Sequence, residues 1–153
     1  MKEVPFISRY PTEQAMKRKL NCILLIDDDE PTNYIHERII EEVGCTEKIV
    51  AIQSARQALD FLKSKTDGAY PQPDLIFLDI NMPAMTGWGF LEKYRELDKD
   101  QQGRVIIVML TTSLHPDDER KAQSIPEVNR YFIKPLSPEM LQEILEEYFE
   151  DCL

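Results

Sequence analysis

Apolar residues recur along this chain in two rhythms. Short runs at Asn21–Ile26, Lys48–Ile52, Asp74–Leu78, Val105–Leu110 and Tyr131–Ile133 read as strands. Between them lie stretches with helical spacing. Pro31–Val43 sets Ile35, Ile39, Ile40 and Val43 on one face, with Pro31 in the first turn and Gly44 as the stop. Ala55–Leu62 follows Ser54, which suits an N-cap. Gly87–Leu97 reads as helical despite Gly89, and Asp117–Ala122 as a short, weak helix. Pro138–Phe149 carries Leu141, Ile144, Leu145 and Tyr148 on one face behind a cap at Ser137. Residues 1–19 have no clear period and are expected to be a flexible arm, with a short helix near Thr12–Lys19. The domain is then expected to span residues 20–151.

Strands and helices alternate through the chain. That pattern predicts βαβ units, hence an α/β fold with a parallel, doubly wound sheet covered by helices on both faces. The strands are almost wholly apolar, as parallel strands buried on both sides must be. In such sheets ligands collect at the carboxyl ends of the strands, near the switch in strand order. The residue after each strand is therefore a candidate for a site.

Composition narrows the class. The length of 153 residues fits one domain with a real core. The net charge of −10 argues against binding nucleic acid and suits a chemistry that needs cations. No stretch approaches the roughly 18 apolar residues of a membrane span, and the N-terminus lacks a signal-peptide core. A cytoplasmic protein with no membrane contact is expected. Cys22, Cys45 and Cys152 have no metal or disulfide spacing and read as core or surface thiols. His36 and His115 stand alone. The acids after Lys134 read as a solvated helix face.

The chemistry gathers at the strand ends. The first strand runs into Asp27, Asp28, Asp29 and Glu30. The third ends at Asp79, followed by Ile80, Asn81, Met82 and Pro83; the fourth at Thr111, Thr112 and Ser113; the fifth at Lys134 and Pro135. Singly, each is an ordinary turn or cap residue. Together they place carboxylates, a hydroxyl and an ammonium on one sheet edge. Clustered carboxylates without histidine or thiolate point to a hard cation such as Mg2+, which keeps several waters and needs few protein oxygens. A metal, Lys134 and the Thr111 hydroxyl could each meet one phosphoryl oxygen. Asp79 is then left as a nucleophile.

These residues resemble the receiver domains of two-component response regulators. The resemblance rests on LLIDDDEP, PDLIFLDINMPAMTG, VIIVMLTTS and YFIKPLSPEML and covers about residues 20–151. It implies a flavodoxin-like five-stranded sheet of order 2-1-3-4-5. It implies Asp79 as phosphoacceptor, with Asp27 and Asp28 as the acidic pair and Asp28 the more direct ligand. It further implies Mg2+ (with Mn2+ able to substitute) held by Asp27, Asp28, Asp79 and the backbone carbonyl of Asn81. Thr111 and Lys134 match the phosphoryl-binding hydroxyl and lysine, and Thr111 and Tyr131 the switch pair. The implied partner is a sensor histidine kinase or phosphotransfer protein. Asp29 and Glu30 have no fixed family role and are expected to cap the first long helix. The long loop at Lys63–Pro73 and the TTS after the fourth strand are similar to small stand-alone receivers, including those of bacterial phytochromes. Two features depart from the family: Thr86-Gly87 stands where Asp-Gly is common, and SIPEVNRY replaces a small glycine-rich loop.

The sequence ends just after the last helix, so output is expected through protein–protein contact, or a homodimer, using the face of the fourth helix, fifth strand and last helix. Two other readings compete. A receiver-like module that is never phosphorylated would lose the acidic pair, Asp79 or Lys134, and none is lost. A haloacid dehalogenase-type phosphohydrolase would use the DxD at the first strand, but would need a late acidic motif and room for a cap.

Overall fold

The computed structural model describes residues 18–152. Residues 12–17 of the helix expected near Thr12–Lys19, and most of the arm, lie outside them. The elements run β1 (Ile23–Ile26), α1 (Glu30–Val43), β2 (Ile49–Ile52), α2 (Ala55–Lys63), β3 (Leu75–Leu78), α3 (Gly87–Arg95), α4 (Lys99–Gln102), β4 (Ile106–Thr111), α5 (Pro116–Gln123), β5 (Val128–Ile133) and α6 (Pro138–Tyr148). A 3-10 turn at Glu150–Cys152 follows. All strands pair in parallel in the order β2-β1-β3-β4-β5, a flavodoxin-like doubly wound sheet.

The pleat divides the core into two layers. Leu24, Ile26, Ile76, Leu78 and Met109 face α2 and α3, meeting Ala58, Leu62, Phe90 and Leu91. Ile23, Leu25, Phe77, Val108 and Leu110 face α1 and α6, meeting Ile40, Leu141, Ile144 and Leu145. Each such side chain, taken fully out of water, contributes roughly 1.5–3 kcal/mol before entropy is counted. The helix caps follow the sequence. The side chains of Asp29, Ser54, Thr86 and Ser137 accept from Thr32, Gln57, Gly89 and Met140 main-chain N–H groups. Gly44 ends α1 at φ 73°, in the left-handed region that favours glycine.

Several expectations are corrected. The buried face of α1 is Asn33, His36 and Ile40, while Ile35 is 52% exposed. Ile39 and Val43 pack at the margin of the core. The helix is rolled because Asn33 and His36 find main-chain hydrogen bonds inside, which offset the lost burial of Ile35. β5 begins at Val128, not Tyr131, and α3 ends at Arg95, short of Leu97. α4 was not anticipated; its four polar residues carry no apolar stripe. Gln102 holds it to α3, donating to the carbonyls of Tyr94 (3.2 Å) and Leu97 (2.8 Å). At the register shift between Ile107 and Val108, Asn129 Oδ1 accepts the Ile107 N–H at 2.9 Å. The acidic face of α6 is partly tied down: Arg130 of β5 donates to Glu147 (2.7 Å) and Glu143 (2.9 Å). All three cysteines are buried free thiols, and burial pushes Cys45 up to about 11. Among the described residues no helix is long and apolar enough to cross a membrane.

Candidate functional site

The register of the sheet assembles the site. Ile26 pairs with Leu78 and Thr111 with Ile133, so the residues that follow come out along one edge. Asp79 N–H donates to Ile26 O (3.0 Å), Asp27 N–H to Ile52 O (3.1 Å) and Lys134 N–H to Thr111 O (2.8 Å). The backbones of Asp27, Asp79 and Lys134 are thus fixed by the strand ladders. One carboxylate oxygen each from Asp27, Asp28 and Asp79 lies within 4.8 Å of the others. Asp27 and Asp79 are buried and Asp28 is exposed, which leaves the cluster open on one side.

Lys134 reaches into this cluster. Its Nζ contacts Asp27 Oδ2 and lies 3.4 Å from Asp79 Oδ1. Asp79 Oδ1 also accepts from Ile80 N–H at 2.9 Å, while Asp27 Oδ1 accepts from Asp29 N–H at 2.9 Å. Burial pushes the Asp79 carboxyl above the ordinary range; Lys134 opposes that shift and the charge of Asp27 adds to it. Three carboxylates and one ammonium leave two negative charges. An all-oxygen donor set with that charge fits a divalent cation such as Mg2+.

The remaining residues named from sequence lie around this centre. Asn81 is exposed in the loop after Asp79. Thr111 is fully buried at the end of β4, and its Oγ1 accepts from Ser113 N–H at 3.1 Å. Tyr131 on β5 donates from its hydroxyl to the Ser113 carbonyl at 3.4 Å. Thr111 and Tyr131 are thereby linked through a single residue of the loop.

Two residues at the site were not anticipated. Asn33 Nδ2 donates to the Asp27 carbonyl at 2.8 Å, while Asn33 Oδ1 has no hydrogen-bond partner among the described residues. His36, expected to be isolated, is buried, and its Nε2 accepts the Leu136 N–H at 3.3 Å. Burial, then the nearby Lys134 charge, pushes its pKa down, which suits a neutral ring with an accepting Nε2. The available signal was a polar residue at each of two helical positions, 33 and 36, in line with Ile40.

Comparison with known proteins agrees with this architecture. Residues 23–146 match the model of the response regulator receiver domain. The probable methanogenesis regulatory protein FilR2 of Methanothrix harundinacea is 35% identical over 84% of this chain and 81% of its own length. The chain spans only 8% of a far longer hybrid signal transduction histidine kinase of Dictyostelium discoideum. Among solved structures, a two-component response regulator from Cytophaga hutchinsonii superposes with a TM-score of 0.74 at 29% identity, covering 85% of this chain and 97% of that one. The bacteriophytochrome response regulator RtBRR gives 0.69 at 25% identity, covering 85% and 78%. With its sheet order, its carboxylate cluster and its reaching lysine, the chain belongs to the response regulator receiver domains of two-component systems.

Proposed function

We propose that this protein is a phosphorylated response regulator, with residues 20–151 as the receiver and Asp79 as its phosphoacceptor. The observation that carries this reading is Lys134 Nζ set between Asp27 and Asp79, with the exposed Asp28 carboxylate beside them. Asp79 Oδ1 is occupied by the Ile80 N–H, so Oδ2 is the oxygen left to attack. It attacks the phosphorus of a phosphohistidine on a sensor kinase or phosphotransfer protein. The P–N bond breaks, the imidazole leaves, and an aspartyl phosphate forms.

Asp27, Asp28, Asp79 and the Asn81 carbonyl would hold Mg2+, and Mn2+ suits the same oxygens. Bound there, the ion supplies positive charge opposite the transferring phosphoryl group. Lys134 shifts its attraction from the Asp27–Asp79 pair to a phosphoryl oxygen. The Thr111 hydroxyl donates to another, and in moving draws Ser113 and Tyr131 with it.

Output is then a population shift on the face formed by α5, β5 and α6, read by a partner protein or a second copy of the chain. The negative charge argues against nucleic acid as that partner, and the cytoplasm is the compartment proposed for it. Acetyl phosphate with Mg2+ should add one phosphoryl group by intact mass, and Asp79→Asn should abolish it. Stable wild-type levels of phosphate on Asp79→Asn would remove Asp79 from the role.

A further inference from the structure

The two halves of the site come from opposite ends of the chain: the acidic pair follows β1 and the lysine follows β5. Helix α1 touches both through buried polar side chains one turn apart. Asn33 binds the main chain of Asp27, and His36 binds the main chain of Leu136, two residues beyond Lys134. Asn33 and His36 are 4% and 2% exposed, whereas Ile35 between them is 52% exposed. A helix selected only for packing would do the reverse, because burying amide and imidazole groups costs more than burying an isoleucine. Asn33 Oδ1 has no protein hydrogen-bond partner among the described residues. Both contacts end on backbone flanking a charged group of the site, and neither touches a reacting atom.

We propose that Asn33 and His36 are positioning residues, which make α1 the template that holds Asp27 and Lys134 in register. This inference rests on the phosphoacceptor reading above. If the two residues only fill space, replacing them changes stability alone. If they position the site, they change metal affinity and transfer rate by more than they change melting. Losing an outer partner of a metal site typically costs on the order of 10–100-fold in affinity or activity.

The test uses the full chain and four proteins: wild type, His36→Leu, His36→Gln and Asn33→Ala. Three quantities are read: melting temperature without metal, Mg2+ affinity by calorimetry, and the rate of phosphoryl uptake from acetyl phosphate at saturating Mg2+. His36→Leu gains apolar burial but leaves the Leu136 N–H without its acceptor, so it should melt near the wild-type temperature, yet take up phosphoryl about tenfold more slowly. His36→Gln should recover most of that rate, since its amide oxygen can accept the same N–H. Asn33→Ala should weaken Mg2+ binding by about tenfold. Rates and affinities within about twofold of wild type for His36→Leu and Asn33→Ala overturn the proposal. So does a His36→Gln protein as slow as His36→Leu. Should His36→Leu fail to fold, the Asn33→Ala affinity decides. A wild type that takes up no phosphoryl group would sink the phosphoacceptor reading instead, and the Mg2+ affinities would still decide the positioning role.

Discussion

Gly87, at the start of α3, sits directly against the main chain of Asp79. A β-carbon built on it would lie 2.3 Å from the Asp79 carbonyl oxygen and 3.1 Å from Ile80 Cα. The Gly87 N–H in turn donates to the Ile80 carbonyl at 2.8 Å. The obstacle is backbone, so it cannot swing aside as a side chain would. Gly87→Ala should therefore cost about 1–3 kcal/mol in unfolding free energy. It should also slow phosphoryl uptake, because relief comes only by displacing residues 79 and 80. Denaturant melts and a single-turnover uptake assay check both parts.

Asp79 is expected to destabilise the metal-free fold. Its folded pKa is raised above the ordinary 3.8, chiefly by burial. The unfolded chain therefore holds the charge more easily at neutral pH, and the penalty is relieved as pH falls through the raised value. Asp79→Asn should raise the melting temperature without metal by a few degrees, about 2–4 °C per kcal/mol for a chain of this size. An unchanged or lowered melting temperature at pH 7 would show that Lys134 already balances the charge.

Asp28 is the exposed member of the cluster, so its removal leaves no buried hole. Asp28→Ala should weaken Mg2+ binding at least about tenfold, or 1.4 kcal/mol. The protein should stay folded and could gain stability from reduced repulsion. Calorimetric titration with Mg2+ checks this, and an unchanged affinity would exclude Asp28 from the ligand set.

His36 should give the fold a pH dependence. Its folded pKa lies below the ordinary 6.5, so the unfolded chain binds a proton first as the solution is acidified. Its contribution to stability is complete above 6.5 and is lost as pH falls from there toward the lowered folded value. His36→Gln should flatten the stability curve in that window. Urea melts between neutral and mildly acidic pH, compared with wild type, make the measurement.

Tyr131 is expected to carry the output together with Thr111. The hydroxyl-to-carbonyl bond joins β5 to the loop after Thr111. A beryllofluoride mimic should change self-association or kinase binding through the α5–β5–α6 face by about 1–3 kcal/mol. Tyr131→Ala should remove most of that response. Sedimentation and a kinase pull-down test the two routes, and silence in both would end the switch reading.

The central cluster was legible because two simple rules act together. Apolar runs locate the strands, and a parallel sheet brings the residues after them to one edge. Asp27, Asp79 and Lys134 needed nothing more. Asn33 and His36 were hidden for the opposite reason. Their partners are the backbone atoms of Asp27 and Leu136, which have no signature in sequence, and the apolar spacing pointed to Ile35. The start of β5 was missed because Val128, Asn129 and Arg130 lie on a half-exposed edge strand with mixed polarity. α4 was missed because short polar turns are set by local hydrogen bonds such as those of Gln102, not by burial.

The Asp27–Lys134 contact spans 107 residues. A growing chain displays Asp27, Asp28 and Asp79 well before Lys134 exists. The half-sheet β2-β1-β3 could already pair at that stage, but its edge would carry three carboxylates and no ammonium. Closure of β5 onto β4 brings the missing charge, and α6 then packs beside α1. The last strand is thereby expected to act as the cooperative lock of folding. Competence to take up a phosphoryl group, which needs Lys134 as well as the carboxylates, would then report on whether the whole domain, and not only its first half, has been completed.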